Sequence, residues 1–216
     1  MIRRLIVDYG EVISTPLPWH AITALAALAG QSRTTFLDRY WRHRSAYDLG
    51  QAATEYWSDV LDRDLSGSPL LVDRLTNVDV RGWLRLNPGT LRTLLDHVRR
   101  TGAQLTLLSN APEPLAQAID HAWAQHFDHC YYSCRLGAAK PDPRAFRLVL
   151  SDLGAQPAEV LFIDDRAANT RAAGDLGMHT ITFTSADALD RELGLVAFAP
   201  SRAGECRRAG DCSPGR

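Results

Sequence analysis

Several features are scarce in this chain, and each scarcity excludes something. No apolar run approaches the roughly 20 residues that a membrane helix needs, so no membrane partner is expected. An excess of charge of one sign is missing as well: 24 Lys and Arg stand against 25 Asp and Glu, a formal net charge of −1. That balance provides no electrostatic surface for nucleic acid or for an anionic membrane. Cysteine is rare, with four in 216 residues. They are too few and too scattered for a disulfide framework. Cys130 and Cys134 flank "YYS", Cys206 and Cys212 lie near the C-terminus, and neither spacing is the CxxC of a zinc site. Reduced thiols fit better. The N-terminus "MIRRLIVDYG" has only a short apolar segment before an aspartate, too little for a signal peptide, so a cytoplasmic location is expected.

What is present is ordinary globular composition, 45% hydrophobic and 23% charged. The length suits one α/β domain with an insertion, or two small domains. Short apolar runs alternate with helical patterns: "RLIVDYG", "AQLTLLSNA", "HCYYSCRLG", "EVLFIDD" and "MHTITFT" read as strands. Continuous apolar strands separated by helices predict βαβ units and a parallel sheet covered on both faces. Gly102, Gly154 and Gly177 stand where left-handed helix caps are expected. Residues 16–86 break the rhythm, because "PWHAITALAALAG", "SRTTFLDRYWRHRSAYDLG" and "ATEYWSDVLDRDL" all read as helices. This stretch is too long for a β–α connection, and it reads as a helical insertion over the strand ends. The core is then 1–15 and 87–199, and the Gly-, Pro-, Ser- and Arg-rich 200–216 reads as a disordered tail.

In a doubly wound sheet, ligands bind beyond the carboxyl ends of the strands. The polar residues collected there are Asp8, then Ser109 and Asn110, then Lys140 at a helix start, then Asp164 and Asp165. Each alone has a plain explanation as a helix cap or a solvated lysine. In this order they resemble the four motifs of the haloacid dehalogenase-like hydrolase superfamily: "VDYGEVI", "LLSN", "AKPDPRAF" and "FIDDRAANTRAA". The resemblance covers nearly the whole chain to about Thr184. It implies an α/β, Rossmann-like doubly wound core with an inserted α-helical cap of that superfamily's first class.

The resemblance also implies a chemistry: Mg²⁺-dependent phosphoester hydrolysis through an aspartyl-phosphate, acting on a small phosphorylated metabolite. Asp8 becomes the nucleophile, an established covalent route for a carboxylate. Asp8, Asp164, Asp165 and the carbonyl of Gly10 become the hard oxygen ligands that Mg²⁺ prefers. Lys140 neutralises the nucleophile, and Ser109 with the amide of Asn110 holds the phosphoryl oxygens.

The sequence departs from the superfamily at one place. Its phosphatases usually carry a second aspartate two residues after the nucleophile, as general acid and base. Here that position is Gly10, followed by Glu11. Such an acid typically contributes about 10²–10⁴ in rate. Glu11 or a cap residue can stand in for it, and His20, with Trp19 beside it, is the cap-proximal candidate. Two alternatives stay open: a 2-haloacid dehalogenase, which needs no general acid, and a catalytically weak binding protein. The acidic pair Asp164–Asp165 counts against the dehalogenase. "YWRHRSAYDLG" carries Arg42, His43, Arg44, Tyr47 and Asp48, of which the arginines and the tyrosine could contact a second phosphate, a carboxylate or sugar hydroxyls. The plainer expectation is that Tyr40, Trp41, Tyr47 and Trp57 pack and that the basic residues form a solvated helix face.

Overall fold

The computed structural model describes residues 1–198. The proposed tail, Cys206 and Cys212 lie outside the described residues. Five strands, β1 (Arg4–Val7), β2 (Gln104–Ser109), β3 (His129–Tyr132), β4 (Val160–Asp164) and β5 (His179–Thr182), form one parallel sheet. Their order is β3-β2-β1-β4-β5. Winding runs outward from β1 to β3 on one side and from β4 to β5 on the other. The direction therefore reverses between β1 and β4, where open α/β sheets place their ligands.

Alternation along the strands divides the apolar residues between two cores. Leu5, Val7, Leu105, Leu107, Leu161 and Ile163 face one layer, with α5 (Pro88–Thr101), α6 (Glu113–Trp123) and α10 (Ala186–Leu195). Ile6, Leu108 and Phe162 face the other, against α8 (Pro143–Asp152) and α9 (Ala167–Asp175). Phe146 of α8 meets Phe162 edge-on at 5.2 Å between ring centroids. Local signals set the helix limits. Asn87 caps α5 by accepting from the N–H groups of Gly89 and Thr90, and Asp142 caps α8 through Arg144 N–H. The three glycines expected at left-handed positions take φ of 71°, 56° and 91°.

Between β1 and α5 the chain makes four helices: α1 (Trp19–Ala29), α2 (Arg33–Asp48), α3 (Ala53–Leu61) and α4 (Pro69–Trp83). The fourth was not expected from the sequence. Pro69 at its first turn starts it, and Val72, Leu75 and Trp83 bury one face. The chain leaves the core and returns to it side by side. Thr15 N–H donates to Arg85 C=O at 2.7 Å and Asn87 N–H to Ile13 C=O at 2.8 Å, an antiparallel bridge at Ser14 and Leu86. Tyr40, Tyr47, Tyr56 and Trp57 form the insertion's aromatic core, with Tyr47 stacked on Tyr56 at 4.1 Å. Trp41 departs from the packing expectation, being half exposed. "HCYYSCRLG" is a strand only to Tyr132, and Ser133–Leu136 (α7) turns as a helix. Among the described residues, no helix is long and apolar enough to cross a membrane.

Candidate active site

β1 ends with Asp8, whose N–H is held by Ile163 C=O of β4 at 2.9 Å. The chain then winds through a wide turn, Tyr9–Ile13, closed by Ser14 N–H donating to Tyr9 C=O. This turn aims the Asp8 side chain across the strand ends. Asp8 Oδ1 accepts from Tyr9 N–H at 2.7 Å and from the Lys140 ammonium at 2.8 Å.

Lys140 is 4% exposed, and three acceptors surround its Nζ: Asp8, Asp164 Oδ2 at 2.7 Å and Leu108 C=O at 2.8 Å. Three partners use the full donor capacity of an ammonium. Burial alone pulls the Lys140 ammonium down, yet Asp8 and Asp164 carry it above its ordinary value. Asn110 fixes the lysine's backbone: its Nδ2 donates to Lys140 C=O at 2.7 Å and its Oδ1 accepts Lys140 N–H at 2.9 Å. The Asn110 side chain is thus committed to Lys140, and any donation to a phosphoryl group falls to its backbone N–H.

Asp164 is fully buried and accepts from Lys140, from Asn169 Nδ2 at both oxygens, and from Arg166 N–H. Asp165 is half-buried. Ligand oxygens of Asp8, Asp164 and Asp165 lie within 4.8 Å of one another. Burial pushes the Asp8 carboxyl up to about 7; Lys140 opposes this, and Asp164 and Asp165 add to it. Asp165 is raised by burial, then by Asp164 and Glu11. Three carboxylates gather beside one ammonium that pairs with two of them, so the cluster carries excess negative charge. Hard oxygens in that charge state fit a divalent cation such as Mg²⁺.

Above this floor is a cavity of about 690 Å³. Asp8, Gly10, Glu11, Ser109, Asn110, Lys140 and Asp165 all line it. Gly10 takes ordinary angles (φ −62°, ψ 126°), and no atom lies within 4 Å of an added Cβ. Glycine is therefore not required there by space or by backbone. Glu11 is exposed, with a left-handed φ of 57°. His20 is exposed on α1 and is not among the cavity's lining residues, and Trp19 beside it holds Arg33 over its ring at 4.7 Å. Neither is brought to the site.

Of the roof, the sequence offered Arg44 only as the less favoured of two readings. Trp41, Trp83, Arg44 and Asp48 line the cavity opposite the strand ends. Arg44 corrects the solvated-face expectation, since it is 5% exposed. Its Nε donates to Asp48 Oδ1 at 2.7 Å, and its guanidinium reaches Asp79 Oδ2 at 3.5 Å and the Tyr40 hydroxyl. Tyr40 in turn donates to Asp79 Oδ1 at 2.6 Å and accepts from Trp83 Nε1 at 3.0 Å. Burial raises Asp79, and it pushes Asp48 up to about 6 despite Arg44. Of the two central cysteines, Cys134 donates to Glu113 Oε2 at 3.4 Å.

Residues 3–177 match the family described as haloacid dehalogenase-like hydrolase. The chain belongs to that family. Among curated relatives, the bifunctional epoxide hydrolase 2 of Sus scrofa is 47% identical over 71 residues, 33% of this chain and 13% of the relative. Phosphatase MT3486 of Mycobacterium tuberculosis is 31% identical over 131 residues, 59% of each chain. The chain thus spans less than two thirds of either relative. Among solved structures, the HAD family enzyme bt-2542 of Bacteroides thetaiotaomicron, in complex with magnesium and inorganic phosphate, superposes with a TM-score of 0.68 at 22% identity. That match covers 85% of this chain and 95% of the other.

Proposed function

We propose that this hydrolase is a Mg²⁺-dependent phosphatase, acting through an aspartyl-phosphate on a small phosphorylated metabolite held under a helical cap (16–86). The observation that carries the reading is the clustering of Asp8, Asp164 and Asp165 within 4.8 Å, with Lys140 between Asp8 and Asp164. Asp8 and Asp165, the Gly10 carbonyl and the deeper Asp164 would hold the ion. When bound, Mg²⁺ offsets the repulsion between an anionic nucleophile and an anionic substrate.

The side chains do the rest. Lys140 opposes the burial that raises the Asp8 carboxyl and orients it through Oδ1 for attack on phosphorus. Asp164 acts beneath, fixing the lysine that fixes the nucleophile. Ser109 and the Asn110 N–H donate to the phosphoryl oxygens, as preorganised dipoles do in electrostatic catalysis. Trp41 and Trp83 on the roof exclude water from the reacting centre. A phosphatase-named relative and a fold neighbour bound to magnesium and phosphate support this reading. The acidic cluster favours it over dehalogenation, which has no use for three converging carboxylates. The test is turnover of p-nitrophenyl phosphate, acetyl phosphate and glucose 1-phosphate with Mg²⁺, with Asp8→Asn as control. Turnover that needs both Mg²⁺ and Asp8 is expected. Folded protein that binds Mg²⁺ but hydrolyses none of them refutes the proposal.

A further inference from the structure

Gly10 leaves the motif without an acid for the leaving group, while the cavity roof holds a carboxyl that the mechanism above does not use. We propose that Asp48, presented from the C-terminal end of α2, is the general acid and base of this site. The inference rests on the phosphatase reading and supplies the step that reading lacks.

The argument begins with charge. Arg44 is shared by two carboxylates, Asp48 at 2.7 Å and Asp79 at 3.5 Å. One guanidinium cannot neutralise two buried acids, so the group favours holding one proton. Asp79 is 1% exposed and already accepts from Tyr40, whereas Asp48 lines the cavity. A proton held by this group can therefore reach a substrate only from Asp48. The groups around Asp48 are Arg44, Tyr40 and Tyr47 from its own helix, Tyr56 from α3, Asp79 from α4, and Arg166 from the core loop after β4. Burial raises its carboxyl into the range where a side chain both gives and takes a proton near neutrality.

Position is fixed as firmly as charge. The Asp48 carbonyl accepts from the Ser133 hydroxyl, and Ser133 Oγ accepts Ala111 N–H at 3.0 Å. Ala111 follows Ser109 and Asn110, so one serine ties the roof acid to the phosphoryl-binding strand end. The other cavity acid, Glu11, is exposed and influences Asp165 on the floor. In the first step an oxygen of the Asp8 carboxylate bonds to phosphorus, the ester P–O bond breaks, and the Asp48 proton passes to the departing oxygen, giving the alcohol. In the second, the Asp48 carboxylate takes a proton from water as the water oxygen bonds to phosphorus. The P–O bond to Asp8 then breaks, releasing phosphate and restoring the Asp8 carboxylate and the protonated Asp48.

The test compares kcat/KM for n-butyl phosphate and p-nitrophenyl phosphate, with Mg²⁺, in wild type, Asp48→Asn, Gly10→Asp and the double variant. kcat/KM reports the leaving-group step, and p-nitrophenolate departs without a proton. Asp48→Asn is expected to lower the butyl-to-aryl ratio by about 10² or more. Gly10→Asp, which has room for its side chain, is expected to restore that ratio in the double variant. Equal loss on both esters, or none, means that Asp48 is structural and overturns the inference alone. The wild-type ratio against pH gives an independent reading should Asp48→Asn fold poorly. A butyl-to-aryl ratio that falls as pH rises from 5 to 9 supports a protonated acid at the leaving group, and a ratio independent of pH overturns it. Wild type inactive on both esters overturns the phosphatase reading itself.

Discussion

Replacing Asp8 by Asn is expected to make the metal-free protein more stable while abolishing turnover. Asp8 is 7% exposed, shares the Lys140 ammonium with Asp164, and lies beside Asp165 as well. Its carboxyl rises from 3.8 in the open chain to about 7 in the fold. A carboxyl whose folded pKa exceeds its unfolded one binds its proton more tightly when folded. Its ionisation therefore costs nothing below pH 3.8, and the cost grows as pH rises towards about 7. Three units at about 1.36 kcal/mol each give about 4 kcal/mol above that pH. Asn keeps the shape and can still accept from Lys140 and Tyr9, but Lys140 then pairs with Asp164 alone. That loss trims the gain to on the order of 2 kcal/mol. For a chain of this size, 2 kcal/mol raises Tm by about 4–8 °C. The assay is thermal denaturation of both proteins in EDTA at pH 8 and pH 5. The variant melts higher at pH 8, and the margin shrinks at pH 5. Mg²⁺ at a hundred times its Kd adds about 2.7 kcal/mol to the wild type and closes or reverses the gap. A variant that melts no higher at pH 8 in EDTA, or a margin unchanged at pH 5, refutes the charge-excess argument.

Three further outcomes follow from the same geometry. Lys140→Met strands two buried carboxylates, which costs about 3–5 kcal/mol by chemical denaturation and removes activity; a loss under 1 kcal/mol contradicts the bridging role. Glu11→Gly relieves a left-handed backbone, and about 1 kcal/mol of stabilisation is expected, read as a Tm rise of about 2–4 °C. Tyr40→Phe leaves Asp79 and Trp83 Nε1 without their shared hydroxyl, a destabilisation of about 2–4 kcal/mol in urea melts.

What was legible from sequence was whatever is local. β1, β2 and β4 are apolar runs that stop on Asp8, Ser109 and Asp164, and a buried strand ending on a polar group announces a strand end whatever surrounds it. Gly102, Gly154 and Gly177 announce their helix ends in the same way. The roof was not legible, because its logic is long-range. α2 reads as a polar helix, and Arg44 looks solvated until Asp79, from a helix absent from the sequence reading, is brought beside it. His20 failed for the opposite reason: nearness to Asp8 in sequence says nothing about which way α1 turns its side chains. Asn110 follows the end of β2, where the sequence puts it, yet its side chain serves Lys140, thirty residues on, a pairing that no spacing rule reveals.

The bridge between Ser14 and Leu86 has a consequence for how such a protein can change. Antiparallel partners sit about 4.5–5.5 Å apart at Cα, so the core experiences the intervening helices as little more than a hairpin tip. Anything whose two ends meet at that distance can be spliced there without disturbing the strand that carries Asp8. On the proposed phosphatase reading, substrate preference becomes a detachable cassette: a roof can be exchanged, shrunk to a tight turn or enlarged, while Asp8, Lys140 and the acidic pair remain untouched beneath.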